Sequence, residues 1–276
     1  MAPRSTLLLL ALAAAPAAAQ PAVSTVSPNS RTSVEGNDGN SYPFSAQTIS
    51  RYQQVFGAGS LAPLAGRQIT QIAFRLDGAQ HPQGYPGGFL YPQLVIKLST
   101  STHTPDQLST NMDANIGPDV RTVYSGPYTL PALSGGPAPR AFDMVITLQT
   151  PFPYTAGPLL MEVAGPIGPS LANAFYLDAE NTTGDAVSRV YTTSFLDQTF
   201  ADTRGLIARL SAAGACYPNC DGSTTAPILN VNDFICFQQR YASGDSYANC
   251  DASTTAPILN VNDFICFQTR FVQGCS

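Results

Sequence analysis

Residues 142–148 read Phe-Asp-Met-Val-Ile-Thr-Leu, with apolar side chains at 142, 144, 146 and 148. A two-residue period puts successive side chains on opposite faces of an extended chain, so the stretch predicts a half-buried β-strand. The pattern recurs at Ile72-Ala73-Phe74-Arg75-Leu76, Leu94-Val95-Ile96-Lys97-Leu98 and Leu159-Leu160-Met161-Glu162-Val163. Turn signals punctuate these runs at Asp77-Gly78, Pro86-Gly87-Gly88, Ser134-Gly135-Gly136 and Ala156-Gly157-Pro158. No helical period competes between Val23 and Leu210. With 22 Gly and 23 Pro spread along the chain, the expectation is an all-β, jelly-roll-like sandwich over residues 20–211.

Upstream, Met1-Ala2-Pro3-Arg4 carries one positive charge, Leu7–Ala15 is apolar, and Ala17-Ala18-Ala19 precedes Gln20. This is the layout of a signal peptide over residues 1–19, and it predicts a secreted, extracellular or cell-surface protein. The apolar run is too short to span a bilayer of roughly 30 Å, and no later segment is long enough. Charged residues are 11% of the chain, Lys97 is the only lysine, and the net charge is −5. That balance argues against nucleic acid and against a polybasic membrane patch.

Little in the β-region points to catalysis, and the expectation is a non-enzyme. His81 and His103 belong to no metal-ligand pattern and read as exposed loop histidines; neither a G-x-S-x-G elbow nor a P-loop occurs. Glu162 and Asp143 are the one carboxylate pair to set against a glycosidase, which needs two. The favoured reading is that both are solvent-facing strand residues. Tyrosines 42, 52, 85, 91, 124, 128, 154, 176 and 191 leave open a sugar-stacking face, weakened by the absence of tryptophan.

Downstream lies a repeat. Residues 217–246 and 247–276 match at 30-residue spacing and differ at only seven positions. Each copy begins with Asn, Asp, Ser and Thr, then places Phe234, Phe237 and Tyr241, or Phe264, Phe267 and Phe271, on one face of a short helix. Gly244 and Gly274 are the helix stops. The oxygen-bearing side chains suit Ca²⁺, which takes six to eight oxygens from alternating loop positions and an acid at the helix start. Candidate ligands are Asn219, Asp221, Ser223, the Ile228 carbonyl, Asn230 and Asp233 in the first copy. The second offers Asn249, Asp251, Ser253, the Ile258 carbonyl, Asn260 and Asp263. Two ions are expected. The alternative is that these side chains cap turns and helix N-termini without metal. All six cysteines, Cys216, Cys220, Cys236, Cys250, Cys266 and Cys275, lie in this segment. With no C-x2-C and no histidine beside them, they read as disulfides rather than a zinc site.

Asp-Phe-x-Cys-Phe-Gln in both copies, a cysteine at the second loop position and the terminal Gly274-Cys275 resemble the bacterial GC-type dockerin-like domain. The resemblance covers residues 215–276. It implies a pair of calcium loop-helix repeats that anchors the protein through a cohesin-like or cell-envelope partner. Val231, Asn232, Val261 and Asn262 match positions where dockerins contact partners, and their duplication implies docking in either orientation. This sequence departs from the family pattern by Asn at the first loop position and by a three-residue insertion within Thr224–Pro227 and its repeat. Symmetry between the copies suggests Cys220–Cys236, Cys250–Cys266 and Cys216–Cys275 among fifteen pairings. Several β-region phrases, such as Arg51-Tyr52-Gln53-Gln54-Val55 and Gly184-Asp185-Ala186-Val187-Ser188-Arg189, resemble exported bacterial β-sandwich proteins with sorting or dockerin-like tails. The implied function is non-catalytic attachment, with a carbohydrate-binding sandwich or a glycoside hydrolase component as the alternative.

Overall fold

A computed structural model describes residues 23–45, 49–164, 168–169, 173–193, 198–212, 216–223 and 227–274. The expected signal peptide lies outside these residues, as do Thr224, Thr225, Ala226 and Cys275. Strands β1–β15 form four antiparallel sheets, followed by a helical tail. Sheet one has the order β1 (Val23–Ser27), β15 (Ala208–Ala212), β4 (Arg67–Phe74), β9 (Met144–Tyr154). Sheet two has the order β13 (Gln198–Asp202), β12 (Val187–Thr193), β3 (Ile49–Phe56), β10 (Leu159–Ala164), β6 (Leu90–Thr100), β7 (Arg121–Thr129). A small sheet joins β14 (Arg204–Leu206), β11 (Leu177–Asn181) and β2 (Asp38–Asn40), and β5 (Gly84–Tyr85) pairs with β8 (Leu133–Ser134). A one-turn helix, α1 (Ala58–Leu61), follows β3.

The alternation read from the sequence is what builds the core. Ile72, Phe74, Met144 and Ile146 from sheet one share a single apolar cluster with Leu94, Ile96, Leu98, Leu159, Met161 and Val163 from sheet two. Burial of that apolar area is the main stabilising term.

The opposite faces depart from expectation. Arg75, expected on the polar side of its strand, is 1% exposed. Its Nε lies 2.6 Å from Asp178 Oδ2, and its NH2 donates to the carbonyls of Arg31 and Val34. Asp178 Oδ1 accepts from Gly36 N at 2.9 Å. The small β2–β11–β14 sheet roofs this region, so a position that alternates outward is still enclosed. A buried charge is stable only when paired and hydrogen-bonded, and this one is both.

At the end of the domain Ser211 and Ala212 finish β15 and pair with β1. In the tail, α2 (Val231–Ala242) and α3 (Val261–Gln273) are separated by a 3-10 turn at Ser246–Ala248. Their aromatic cluster is separate from that of the sheets. Among the described residues no helix is long and apolar enough to cross a membrane.

Candidate functional site

Each tail helix starts where the sequence provides a cap. Asn230 Oδ1 accepts from Asn232 N at 2.8 Å, while Asp233 Oδ2 accepts from Asn230 N at 2.8 Å. Asn260 and Asp263 repeat this capping box. The helices end where glycine takes over, with Gly244 at φ +72° and Gly274 at φ +79°.

The helices face each other through side chains that repeat across the copies. Phe237 stacks on Phe267 with ring centres 4.2 Å apart. Phe234 sets its edge on Phe267 at 5.2 Å, and Phe264 does the same to Phe237 at 5.1 Å. At one end Tyr217 and Tyr247 stack at 4.8 Å, and each hydroxyl donates to the other's backbone carbonyl. Arg240 lies over the Tyr247 ring and Arg270 over Tyr217. Each of these contacts has its mirror, so the two copies form a pseudo-twofold pair. Burial pushes both phenols up, Tyr247 to about 12. Sequence reading passed over Tyr217 and Tyr247; their place as first residue of each 30-residue copy was the available signal.

All twelve candidate ligands fall into two hydrogen-bonded clusters, one per copy. In the first, Asn219 Nδ2 donates to Ser223 O at 2.9 Å, and Ser223 Oγ donates to Ile228 O at 2.9 Å. Ser223 N donates to Asp221 Oδ1 at 2.9 Å, and Asp221 N reaches Asp233 Oδ1 at 3.3 Å. The second copy repeats each bond among Asn249, Asp251, Ser253, Ile258 and Asp263. Asp233 and Asp263 are 0% exposed, and each accepts from two backbone N–H groups, those of Asp221 and Asn230 or of Asp251 and Asn260. Among the described residues, the tail's one ion pair joins Arg240 to Asp245, away from these carboxylates. Asp251 titrates below its ordinary value, chiefly because Ser253 N donates to it, with the Asp263 carboxyl also against it.

The donor set is therefore all oxygen, as Ca²⁺ requires. Asn219 Oδ1 is sequestered from solvent without a hydrogen-bond partner, which is an acceptor available to a cation. Against this, Asn230 and Asn260 already spend their side-chain oxygens as helix caps. Among the described residues no group of three or more His, Cys, Asp or Glu is placed to hold a metal; each loop brings only two carboxylates. In the second copy the residues of the expected insertion, Thr254–Pro257, are all exposed. Gly222 and its counterpart Ala252 both adopt left-handed backbone, φ +69° and +56°; only glycine does so without steric cost.

Two disulfides fasten these loops. Cys220–Cys236 and Cys250–Cys266 are formed, each over a separation of 16. Cys216 is disulfide-bonded as well; Cys275, its expected partner, lies outside the described residues.

Val231 and Val261, expected to meet a partner, are each 68% exposed at the first helical position, with Asn232 and Asn262 exposed beside them. One turn further on, Ile235 (48%) and Ile265 (56%) extend the same faces. The helical pattern had hidden these two, since only the aromatic face was read for burial.

In the β-domain, Glu162 corrects an expectation. It is 4% exposed rather than solvent-facing, because the 3-10 turn Met112–Asn115 covers it: Met112 O accepts from Gln53, and Asp113 pairs with Arg51. Arg51 Nε and NH2, Gln53 Nε2 and Lys97 Nζ all donate to the Glu162 carboxylate within 3.0 Å. Burial pushes its titration up, but these hydrogen bonds and the Arg51 charge outweigh it and hold it below the ordinary value. A glycosidase acid needs the opposite shift. Asp143 precedes β9 and accepts from Ser134 N, in a turn rather than on the strand face.

His81 and His103 are half-buried rather than exposed. His81 Nε2 accepts from Tyr176 N at 3.0 Å, its ring stacks on Tyr176, and burial pushes its titration down. Of the tyrosines, Tyr52, Tyr91 and Tyr154 lie in the core, so they offer no sugar-stacking surface, whereas Tyr176 is 37% exposed.

No protein-family model matches the chain, and neither a curated protein nor a solved structure is significantly similar to it.

Proposed function

We propose that this is an exported, non-catalytic attachment protein in which the helical tail docks onto an extracellular or cell-envelope partner and carries the β-domain with it. The observation that carries the reading is the pair of exposed faces Val231/Ile235 and Val261/Ile265, related by the tail's pseudo-twofold axis. These symmetry-related aliphatic side chains, exposed on a module whose own core is aromatic, mark an interaction surface. The expected partner chemistry is an apolar surface that accepts either face. The resemblance to a dockerin-like domain names a cohesin-like protein as its type.

Each loop, in this reading, holds one Ca²⁺ through Asp221 and Asp233 or Asp251 and Asp263, aided by Asn219 or Asn249 and the neighbouring Ser and Ile oxygens. The ion supplies the counter-charge that the buried carboxylates lack. Two carboxylates per loop suit the weaker, extracellular range of affinity, roughly 10⁻⁴–10⁻³ M. Disulfides are compatible with that compartment.

The β-domain is read as a jelly roll. Numbering β1, β3, β4, β6, β7, β9, β10 and β15 from 1 to 8 gives orders 1-8-3-6 and 2-7-4-5, the double Greek key of that architecture.

The test is the distribution of the full-length protein between cell envelope and medium in the producing bacterium. Val231→Asp or Val261→Asp alone is expected to leave it cell-associated, and the double variant to release it. Wild-type protein found only in the medium would overturn the anchoring reading; loss from either single change would overturn docking in both orientations.

A further inference from the structure

The disulfides stand inside the candidate cation loops, and their placement there has an energetic consequence. Cys220 stands between Asn219 and Asp221 on the loop, and Cys236 lies one helical turn beyond Asp233. Their bond, with Cα atoms 5.7 Å apart, thus joins the two chain segments that contribute carboxylates to the first loop. Cys250–Cys266 joins the segments bearing Asp251 and Asp263 in the same way, at 5.8 Å.

The paired carboxylates belong to one hydrogen-bonded cluster, since Asp221 N reaches Asp233 and Asp251 N reaches Asp263. Without a cation, like charges favour spreading the loop away from the helix. A covalent tie across that gap opposes the spreading and removes open conformations from the competing ensemble.

We propose that each disulfide is the positioning element of its own loop: it holds the loop closed so that Ca²⁺ meets a preformed oxygen cluster, and ion and disulfide are therefore thermodynamically linked. This rests on the calcium reading above. Reduction by an external dithiol transfers two electrons and two protons, leaving two cysteine thiols and a cyclic disulfide of the reagent. The freed loop then opens, and the ion has to close it again on binding. By reciprocity, whatever factor the disulfide adds to ion affinity, bound ion adds to resistance against reduction.

The experiment is calorimetric titration of CaCl₂ into the oxidised full chain, compared with the Cys220→Ser/Cys236→Ser double variant. Wild type is expected to show two sites. The variant should keep the second loop unchanged and bind at the first on the order of tenfold or more weakly. Two unchanged sites would overturn the positioning role and leave the calcium reading standing, whereas absence of binding by wild type would overturn both. Should the variant lose its helical circular dichroism, wild type decides: its reduction by dithiothreitol, read by alkylation of Cys220 and Cys236, is expected to slow about tenfold with saturating Ca²⁺ relative to chelator. Equal rates in a protein that binds Ca²⁺ would overturn the linkage.

Discussion

From Val23 to Ala212 the chain folds without a cysteine, whereas the segment from Cys216 onward carries all six. The β-domain has two large sheets around one apolar cluster, and it can enclose a whole ion pair, Arg75–Asp178. The tail has Phe237, Phe267, Ala248 and two half-cystines as its buried apolar set. A unit of about 60 residues buries too little surface to offset the entropy of ordering it. Covalent staples make up the difference by constraining the unfolded chain. The comparison teaches that size decides which device a segment uses: interior charge networks where there is volume to surround them, cross-links where there is not.

The sharpest way to break the comparison is reduction. Each tail disulfide is worth roughly 3 kcal/mol for a loop of this length, so dithiothreitol should abolish the tail's near-ultraviolet dichroism and leave a cooperative thermal transition for the sheets. A single joint transition before and after would show that the two regions are not independent. Next in size is Asp178→Asn, which leaves the Arg75 guanidinium buried without its counter-charge. The expected loss is about 3–5 kcal/mol, read as a drop in the urea midpoint of the β-domain with the tail signal unmoved.

The smallest effect concerns Glu162. Its carboxyl is held below the ordinary value of 4.5 in the folded state, so its contribution is full above that pH and fades as pH falls through the folded titration. Acid titration of stability should show this loss in wild type. Glu162→Gln, costing about 1–2 kcal/mol at neutral pH, should remove that part of the acid dependence.

Much of this was legible in the residues. Alternation at 94–98 and 159–163 named the core positions, and the 30-residue copies announced a loop and a helix each. What alternation cannot report is the cover on the other face. Arg75 and Glu162 both alternate outward, yet the roofs over them come from residues 177–181 with 204–206 and from residues 112–115. Such contacts depend on long-range return of the chain, which leaves no local period. The tail's exposed Ile235 and Ile265 were obscured for a simpler reason: a helix of this length shows one strong apolar stripe, and a second, weaker one reads as ordinary surface.

The pseudo-twofold pair in the tail amounts to a homodimer written into one chain. In a true dimer every substitution is made twice across the axis, so no face can change alone. Here Tyr241 already faces Phe264 where Phe271 faces Phe234. Fusion has released the two protomers from identity, and one copy is free to drift toward a new surface while its twin retains the old one.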